Sequence, residues 1–213
     1  MPQSFDKTSH RYLKPLQFAL EDGTQVLLRP VSSDDRERIQ NGMAALSSQS
    51  RYFRFFTSAP RLSDQQLRYF SEVDQRNHVA WIALDSSEPK HPGLGIARFI
   101  RTNEDPSVAE MAFVVIDAYQ CRGLGTILLA VLYLTAEVRG VQVLRAVVLG
   151  ENTRVSNWLR SLGATGSYER GEYRLDLTVH RDRGLLPQTP AGENFKRAIE
   201  AVQKAFRRTE VSG

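Results

Sequence analysis

The sequence predicts an α/β (α+β) domain, built as a mixed sheet with helices packed on it. Three observations carry that prediction. Short apolar runs of strand length follow one another between His78 and Ile116, with turn residues between them. The hydrophobic period then changes to helical spacing at Ile127, Leu128, Val131, Leu132 and Thr135, and a strand-like run returns at 143–149. Finally, 41% of the 213 residues are hydrophobic and 24% charged, the balance of a globular chain long enough to bury a core without metal or disulfides.

The elements follow in order. Residues 1–24 are polar, with Asp22-Gly23 as a turn signal, and form an N-terminal arm or a first hairpin. Val26-Leu27-Leu28-Arg29 is a strand ended by Pro30. Ser32 to Asp35 is a helix start with acidic first-turn residues, and the helix runs to about Leu46 through Ile39 and Met43. Arg51 to Phe56 is the densest aromatic stretch and is expected to be core and helix packing, with a substrate groove as the alternative. Ser63 with Gln66 is a capping box opening a short helix to about Phe70. His78–Leu84 and Gly95–Arg101 make a hairpin, and Val108–Ile116 is the next strand. A helix follows the turn at 120–126 and ends before Gly140. Val143–Leu149 is a buried strand, 152–162 a helix stopped by Gly163, and 165–169 with 173–179 a closing hairpin.

The tail over 181–213 is a linker and an amphipathic helix, with Phe195, Ile199, Val202 and Phe206 on one stripe. That stripe docks on its own domain or on a second copy, which would make a homodimer. Trp81 and Trp158 are expected in the core, and His78 at an edge or on the surface.

Composition narrows the function. The one cysteine, Cys121, excludes an intramolecular disulfide and a Cys-based zinc site, and points to a reducing cytoplasm. No run of about 18 apolar residues is present to span a membrane, so no membrane partner is expected. The stretch Met1–Pro15 lacks the apolar region of a secretory signal. A net charge of +4 suits an anionic ligand. The basic tail is interrupted by Glu193, Glu200 and Glu210, so nucleic acid is not an expected partner.

The segment that carries chemistry runs from Val114 to Thr126. A strand enters a turn, Gln120-Cys121-Arg122-Gly123-Leu124-Gly125-Thr126, and the turn opens a helix. The first turn of a helix has unpaired N–H groups and partial positive charge, which together cradle a phosphate. Gly123 and Gly125 remove Cβ atoms where the ligand approaches, and Arg122 adds a cation. The pattern lacks the Gly-Lys-Ser/Thr of a P-loop and the third glycine of a dinucleotide fingerprint.

Gln120-x-x-Gly123-x-Gly125 resembles the signature of the GCN5-related N-acetyltransferases, the GNAT family, whose turn binds the pyrophosphate of acetyl-CoA. The resemblance covers roughly residues 25–180. Ala109-Glu110-Met111-Ala112-Phe113-Val114-Val115, with Ser50 to Phe56, is most similar to the acetyltransferase domain of bacterial protein lysine acetyltransferases. It implies a mostly antiparallel sheet with flanking helices, to which the C-terminal helix is an addition. It implies acetyl-CoA as co-substrate and no metal. By the same resemblance, Phe113, Val114 and Val115 hold the pantetheine arm with main-chain groups. Gln120, Cys121, Arg122, Gly123, Leu124, Gly125 and Thr126 hold the pyrophosphate, and Asn152 reaches the pantetheine. Glu110 falls at the position of a catalytic Glu. Leu159 stands where many members carry a Tyr acid, which leaves Tyr119, Tyr168 and Tyr173 as candidates.

The implied reaction is direct transfer. A free lysine has a pKa of about 10.4, so only about one in a thousand is neutral at pH 7. Glu110, directly or through water, can take the proton as general base. Backbone N–H groups on the splayed strand can stabilise the oxyanion. Protein lysine is the leading acceptor and a small-molecule amine the alternative; a non-catalytic acyl-CoA sensor is the third reading. Acidic residues in the acceptor groove would favour a cationic acceptor, and Glu72, Asp74 and Glu172 are candidates.

Overall fold

The computed structural model describes residues 13–211. Eight strands form one sheet in the order β1-β2-β3-β4-β5-β6-β8-β7. These are β1 (Leu16–Ala19), β2 (Gln25–Pro30), β3 (His78–Asp85), β4 (Gly93–Arg101), β5 (Val108–Val115), β6 (Val143–Leu149), β7 (Thr165–Glu169) and β8 (Glu172–Thr178). Between residues 16 and 24 the open choice resolves as a first hairpin, with Leu16 opposite Leu28. The rest of the expected arm, before residue 13, lies outside the described residues.

Helices cover both faces. On one lie α1 (Arg36–Ala45), α2 (Ser48–Phe55) and α3 (Asp64–Ser71); on the other lie α4 (Leu124–Val138), α5 (Thr153–Ser161) and α6 (Pro190–Val211). The alternation of β3 shows how the sequence encodes two covered faces. Val79, Trp81 and Ala83 join the α4–α6 core, while Ala80, Ile82 and Leu84 join the α1–α3 core. A strand buried on both faces therefore reads as one apolar run.

Local signals set the element ends. Ser63 Oγ accepts from Gln66 N at 3.2 Å and Gln66 Oε1 from Ser63 N at 2.9 Å, the expected capping box. The helix expected from Ser32 begins as a 3-10 turn over Ser33–Asp35 before α1. There Asp35 is fully buried and accepts from both terminal nitrogens of Arg29, at 2.7 and 2.6 Å. Burial is the largest single influence and opposes its charge, but the Arg29 hydrogen bonds, the Ser32 N–H and the charges of Arg29 and Arg38 together hold its carboxyl below the usual range.

The stripe of α6 docks on its own domain. Phe195, Ile199, Val202 and Phe206 are fully buried, with Phe195 edge-on to Tyr133 and Phe206 edge-on to Trp81. The stripe that suggested a second copy is thus covered within the chain. Gly95 lets α4 lie close on the sheet, since a Cβ there would meet Val114 O at 2.8 Å and Leu128 Cδ1 at 3.1 Å.

Candidate active site

Among the described residues, β5 and β6 are the one parallel pair, and they pair only over Val108–Glu110 and Val143–Arg145. Beyond that the strands part. β5 stays on β4 as far as Val115 opposite Gly95, and β6 on β8 as far as Leu149 opposite Glu172. The register tells which peptide groups face the gap. Val108 O accepts from Thr102 N at 3.0 Å, and Ile116 N donates to Leu94 O at 2.9 Å, so even-numbered residues direct their peptide groups to β4. Peptide groups alternate along a strand. Met111 and Phe113 therefore direct theirs into the gap, as does Val115, whose carbonyl accepts from Gln120 Nε2 at 3.0 Å. Such groups demand partners, and an amide-bearing ligand arm can supply them.

At the open end stands the turn. Gly123 has φ +83° and caps α4. A Cβ at Gly123 or Gly125 would meet nothing within 4 Å, so both backbones face open space. The first turn of α4 leaves N–H groups without intrahelical acceptors. Gln120, Cys121, Gly123, Gly125 and Thr126 line a cleft of about 930 Å³ together with Met111–Val115, Ala146–Val148 and Asn152. This combination fits a long ligand with a peptide-like arm and a phosphate end. Asn152 caps α5, its Oδ1 accepting from Val155 N at 3.3 Å, and borders the cleft as well.

Asp117 ties this turn to α2. It accepts from Ser47 N at 2.9 Å, Ser47 Oγ at 2.8 Å and Ser50 Oγ at 2.8 Å. Burial works against its charge, but the Ser47 and Ser50 hydrogen bonds hold its carboxyl below the usual range.

The opposite wall is made of side chains. Glu110, Ala112 and Val114 share the face of β5 that looks towards α1–α3, opposite Ile100, Arg98 and Ile96 of β4. Glu110 is exposed in the cleft. Its paired neighbour on β6, Arg145, is held by Asp176 in a two-bond fork of 2.7 Å each. Phe53, Arg54 and Phe56 of the α2 segment, with Tyr69 and Phe70 of α3, form the roof. Arg98 is 4% exposed beneath them. Its Nη1 lies 3.0 Å from His78 Nε2, its Nη2 donates to Phe70 O at 3.3 Å, and its Nε has no partner. Burial, with Arg98 beside it, pushes His78 down to about 4, so the imidazole is neutral and Nε2 accepts.

Several expectations are corrected here. No residue of α2 is buried, and the aromatic stretch roofs the cleft instead of filling the core. Only Phe55 turns inward, edge-on to Phe70 at 5.9 Å. Trp158 is half-buried in the cleft wall, edge-on to Phe113 at 5.4 Å. Arg122 does not line the cleft: it pairs with Asp22 at 2.8 Å and lies over the Tyr119 ring. Arg154 of α5 lines it instead, donating to Gln120 Oε1 at 3.3 Å. Leu124 is fully buried, so only its main chain is available to a ligand. Val114 has its peptide groups on β4, which leaves it a side-chain role. His78 sits in an interior strand, half-buried against Arg98.

The acceptor candidates change too. Glu72 pairs with Arg36, and Asp74 Oδ1 accepts from the backbone N–H groups of Arg76, Asn77 and His78. Neither they nor Glu172 line the cleft. Tyr119, Tyr168 and Tyr173 do not line it either; Tyr69 does. Leu159 is core. Sequence reasoning missed Met111, Arg54, Tyr69, Arg98 and Arg154. Strand parity could have found Met111, but the others meet only through the fold.

A sheet splayed between two parallel strands, with a glycine turn and helix N-terminus at the open end, defines an N-acetyltransferase of the GNAT type. The family model for the acetyltransferase (GNAT) domain matches residues 25–165, and the chain belongs to that family. Enzymes of this family use acetyl-CoA. The chain is 35% identical over 153 residues to acetyltransferase Pat of Mycolicibacterium smegmatis, which covers 72% of this chain and 45% of Pat. It thus spans less than half of that relative. It is 29% identical over 148 residues to an acetyltransferase of Pseudomonas aeruginosa, covering 70% of this chain and 79% of the other. The solved GNAT domain of S. lividans PAT is 28% identical, with a TM-score of 0.70, and the match covers 82% of this chain and 99% of that one.

Proposed function

We propose that this chain transfers an acetyl group from acetyl-CoA to an amine, with Glu110 as general base and a protein lysine as acceptor. The observation that carries the reading is the placement of Glu110, an exposed carboxylate at the point where β5 and β6 part. The pantetheine arm pairs with the gap-facing peptide groups of Met111, Phe113 and Val115. The pyrophosphate sits over Gly123 and Gly125 at the α4 N-terminus, with Gln120, Cys121 and Thr126 around it, and Asn152 reaches the pantetheine.

Glu110 accepts a proton from the ammonium, directly or through a water. The neutral amine attacks the thioester carbonyl, and a gap-facing N–H stabilises the oxyanion. Collapse breaks the C–S bond, and the departing thiolate takes up the proton that the new amide nitrogen loses; it leaves readily because thiols have a pKa of about 8.5. The resemblance of Ala109–Val115 and Ser50–Phe56 to protein lysine acetyltransferases supports a protein acceptor. The one exposed thiol, Cys121, suits a reducing cytoplasm.

The test uses labelled acetyl-CoA with a cell extract, separated into polypeptide and small-molecule fractions, with Glu110→Gln alongside. Label in polypeptides that the variant loses is the expected result. Label only in small molecules overturns the lysine acceptor. Tight binding without turnover favours the sensor reading.

A further inference from the structure

Two arginines, Arg54 and Arg98, line the acceptor end of the cleft, and neither is paired with the Glu110 carboxylate that lines it too. Arg98 lies directly opposite Ala112, one side-chain position along from Glu110 on the same face of the sheet. Arg54 of α2 borders the same space, and both also border the small apolar cavity behind it, lined by Ile39, Met43 and Ile82. Among the described residues, neither guanidinium forms an ion pair: the pairs are Arg29 and Arg38 with Asp35, Arg145 with Asp176 beside Glu110, and four more that include neither arginine. Arg98 rests on the Phe70 ring at 4.5 Å, and Arg54 on the Phe55 ring at 4.8 Å.

A buried cation without a counter-charge is costly to a fold; Arg98 is one, and the half-buried Arg54 stands beside it. Burial pulls Arg98 down to about 9 and Arg54 to about 10, and the two repel each other. Both remain cations at neutral pH. The fold holds them there by stacking, by the neutral His78 and by the Phe70 carbonyl, and none of these supplies negative charge. An arriving carboxylate would meet a charge-assisted donor set in a desolvated place, where such bonds are strong.

We propose that Arg54 and Arg98 form a carboxylate-binding subsite beside Glu110. The carboxylate comes either from the acceptor, as an acidic residue next to the reactive lysine, or from the acyl group, as in a dicarboxylic acyl-CoA. The proposal rests on the acyl-transfer reading of the same cleft.

One experiment separates the sources. Turnover is compared for a lysine peptide with an adjacent Asp against its Asn isostere, using acetyl-CoA. It is compared again for succinyl-CoA against acetyl-CoA on the neutral peptide. Each ratio is measured in the wild type, Arg54→Gln and Arg98→Lys. In parallel, the melting temperature of the protein without CoA is followed with succinate and with succinamide.

A preference of about tenfold or more for the carboxylate partner in one arm is expected, shrinking towards parity in Arg54→Gln. The arm that shows it names the source. Parity in both arms, with equal shifts from succinate and succinamide, overturns the subsite. A failure of acetyl-CoA to bind overturns the acyl-transfer reading instead, and the succinate comparison then decides the subsite alone. Arg98→Lys keeps the charge, so a misfolded variant is told from a lost fork by its melting curve.

Discussion

The wall of the cleft from Met111 to Thr126 offers main chain, whereas the facing wall under α2 and α3 offers side chains. In the first, the groups aimed at a ligand are peptide groups of β5 and N–H groups at the α4 N-terminus, freed by strand divergence and by Gly123. In the second they are Glu110, Arg54, Arg98 and Tyr69, drawn from four elements. A main-chain site needs only the correct backbone path, so it tolerates many side chains. A side-chain site fixes which substrate is taken, and any one substitution can remake it. The comparison predicts that common chemistry belongs to the first wall and selectivity to the second.

The largest expected effect falls where the chemistry itself is a side chain. Glu110→Gln should lower kcat/KM by about a hundredfold to ten-thousandfold, the usual contribution of a general base. Acetyl-CoA affinity should stay within error, because Glu110 lies beyond the main-chain wall. Calorimetry beside steady-state rates checks both. A variant with lost CoA binding would break the division between the walls.

Next comes a direct insult to the main-chain wall. Gly123 has φ +83°, and a β-branched residue there costs about 1–3 kcal/mol of backbone strain. Its Cβ would also project into the open space where a phosphate approaches. Gly123→Val should weaken acetyl-CoA binding by about tenfold to a hundredfold. The ratio between acceptors should not move. A changed acceptor ratio with unchanged CoA affinity would reverse the assignment of the two walls.

The contrast also explains what could be read from the sequence. Strand runs, the capping box at Ser63 and the glycine turn are local signals, and each element they announced is present. The candidate main-chain site can be proposed from the sequence because glycines at 123 and 125 leave a written trace. Arg98 leaves none: in the run Gly-Ile-Ala-Arg-Phe-Ile it looks like an ordinary strand residue, and only β3, β5 and α3 together bury it. The Arg51–Phe56 stretch misled for the same reason. Aromatic density marks a surface that is covered, but not whether the cover is protein or ligand. Arg122 was drawn to the turn by adjacency, and the hairpin residue Asp22 takes it away.

Asp117 joins the two walls, since it stands before the turn and receives three hydrogen bonds from the start of α2. Asp117→Asn keeps the shape, removes the charge and turns one of the two accepting oxygens, Oδ1 or Oδ2, into a donor facing Ser47. Stability should fall by about 1 kcal/mol, read as a lower midpoint in denaturant at unchanged slope. KM for acetyl-CoA and for the acceptor should rise together, because both walls lose register. A rise in only one of them would show the walls to be independent.

The smallest effect is confined to acid and tests how the side-chain wall is held. His78 has its pKa lowered from 6.5 to about 4, first by burial and then by Arg98. The folded state therefore binds fewer protons than the unfolded chain between those values. The stabilisation that comes from keeping His78 neutral is complete above pH 6.5 and is lost as pH falls through about 4. Asp74 and Asp117, held below the carboxylate value of 3.8, give up theirs only at lower pH. Melting temperature should decline by a few degrees across the first window and steepen in the second. His78→Gln keeps an acceptor for Arg98 but cannot take a proton, so it should flatten the first window and leave the second. Equal slopes in both proteins would mean that Arg98 does not depend on a neutral imidazole for its position.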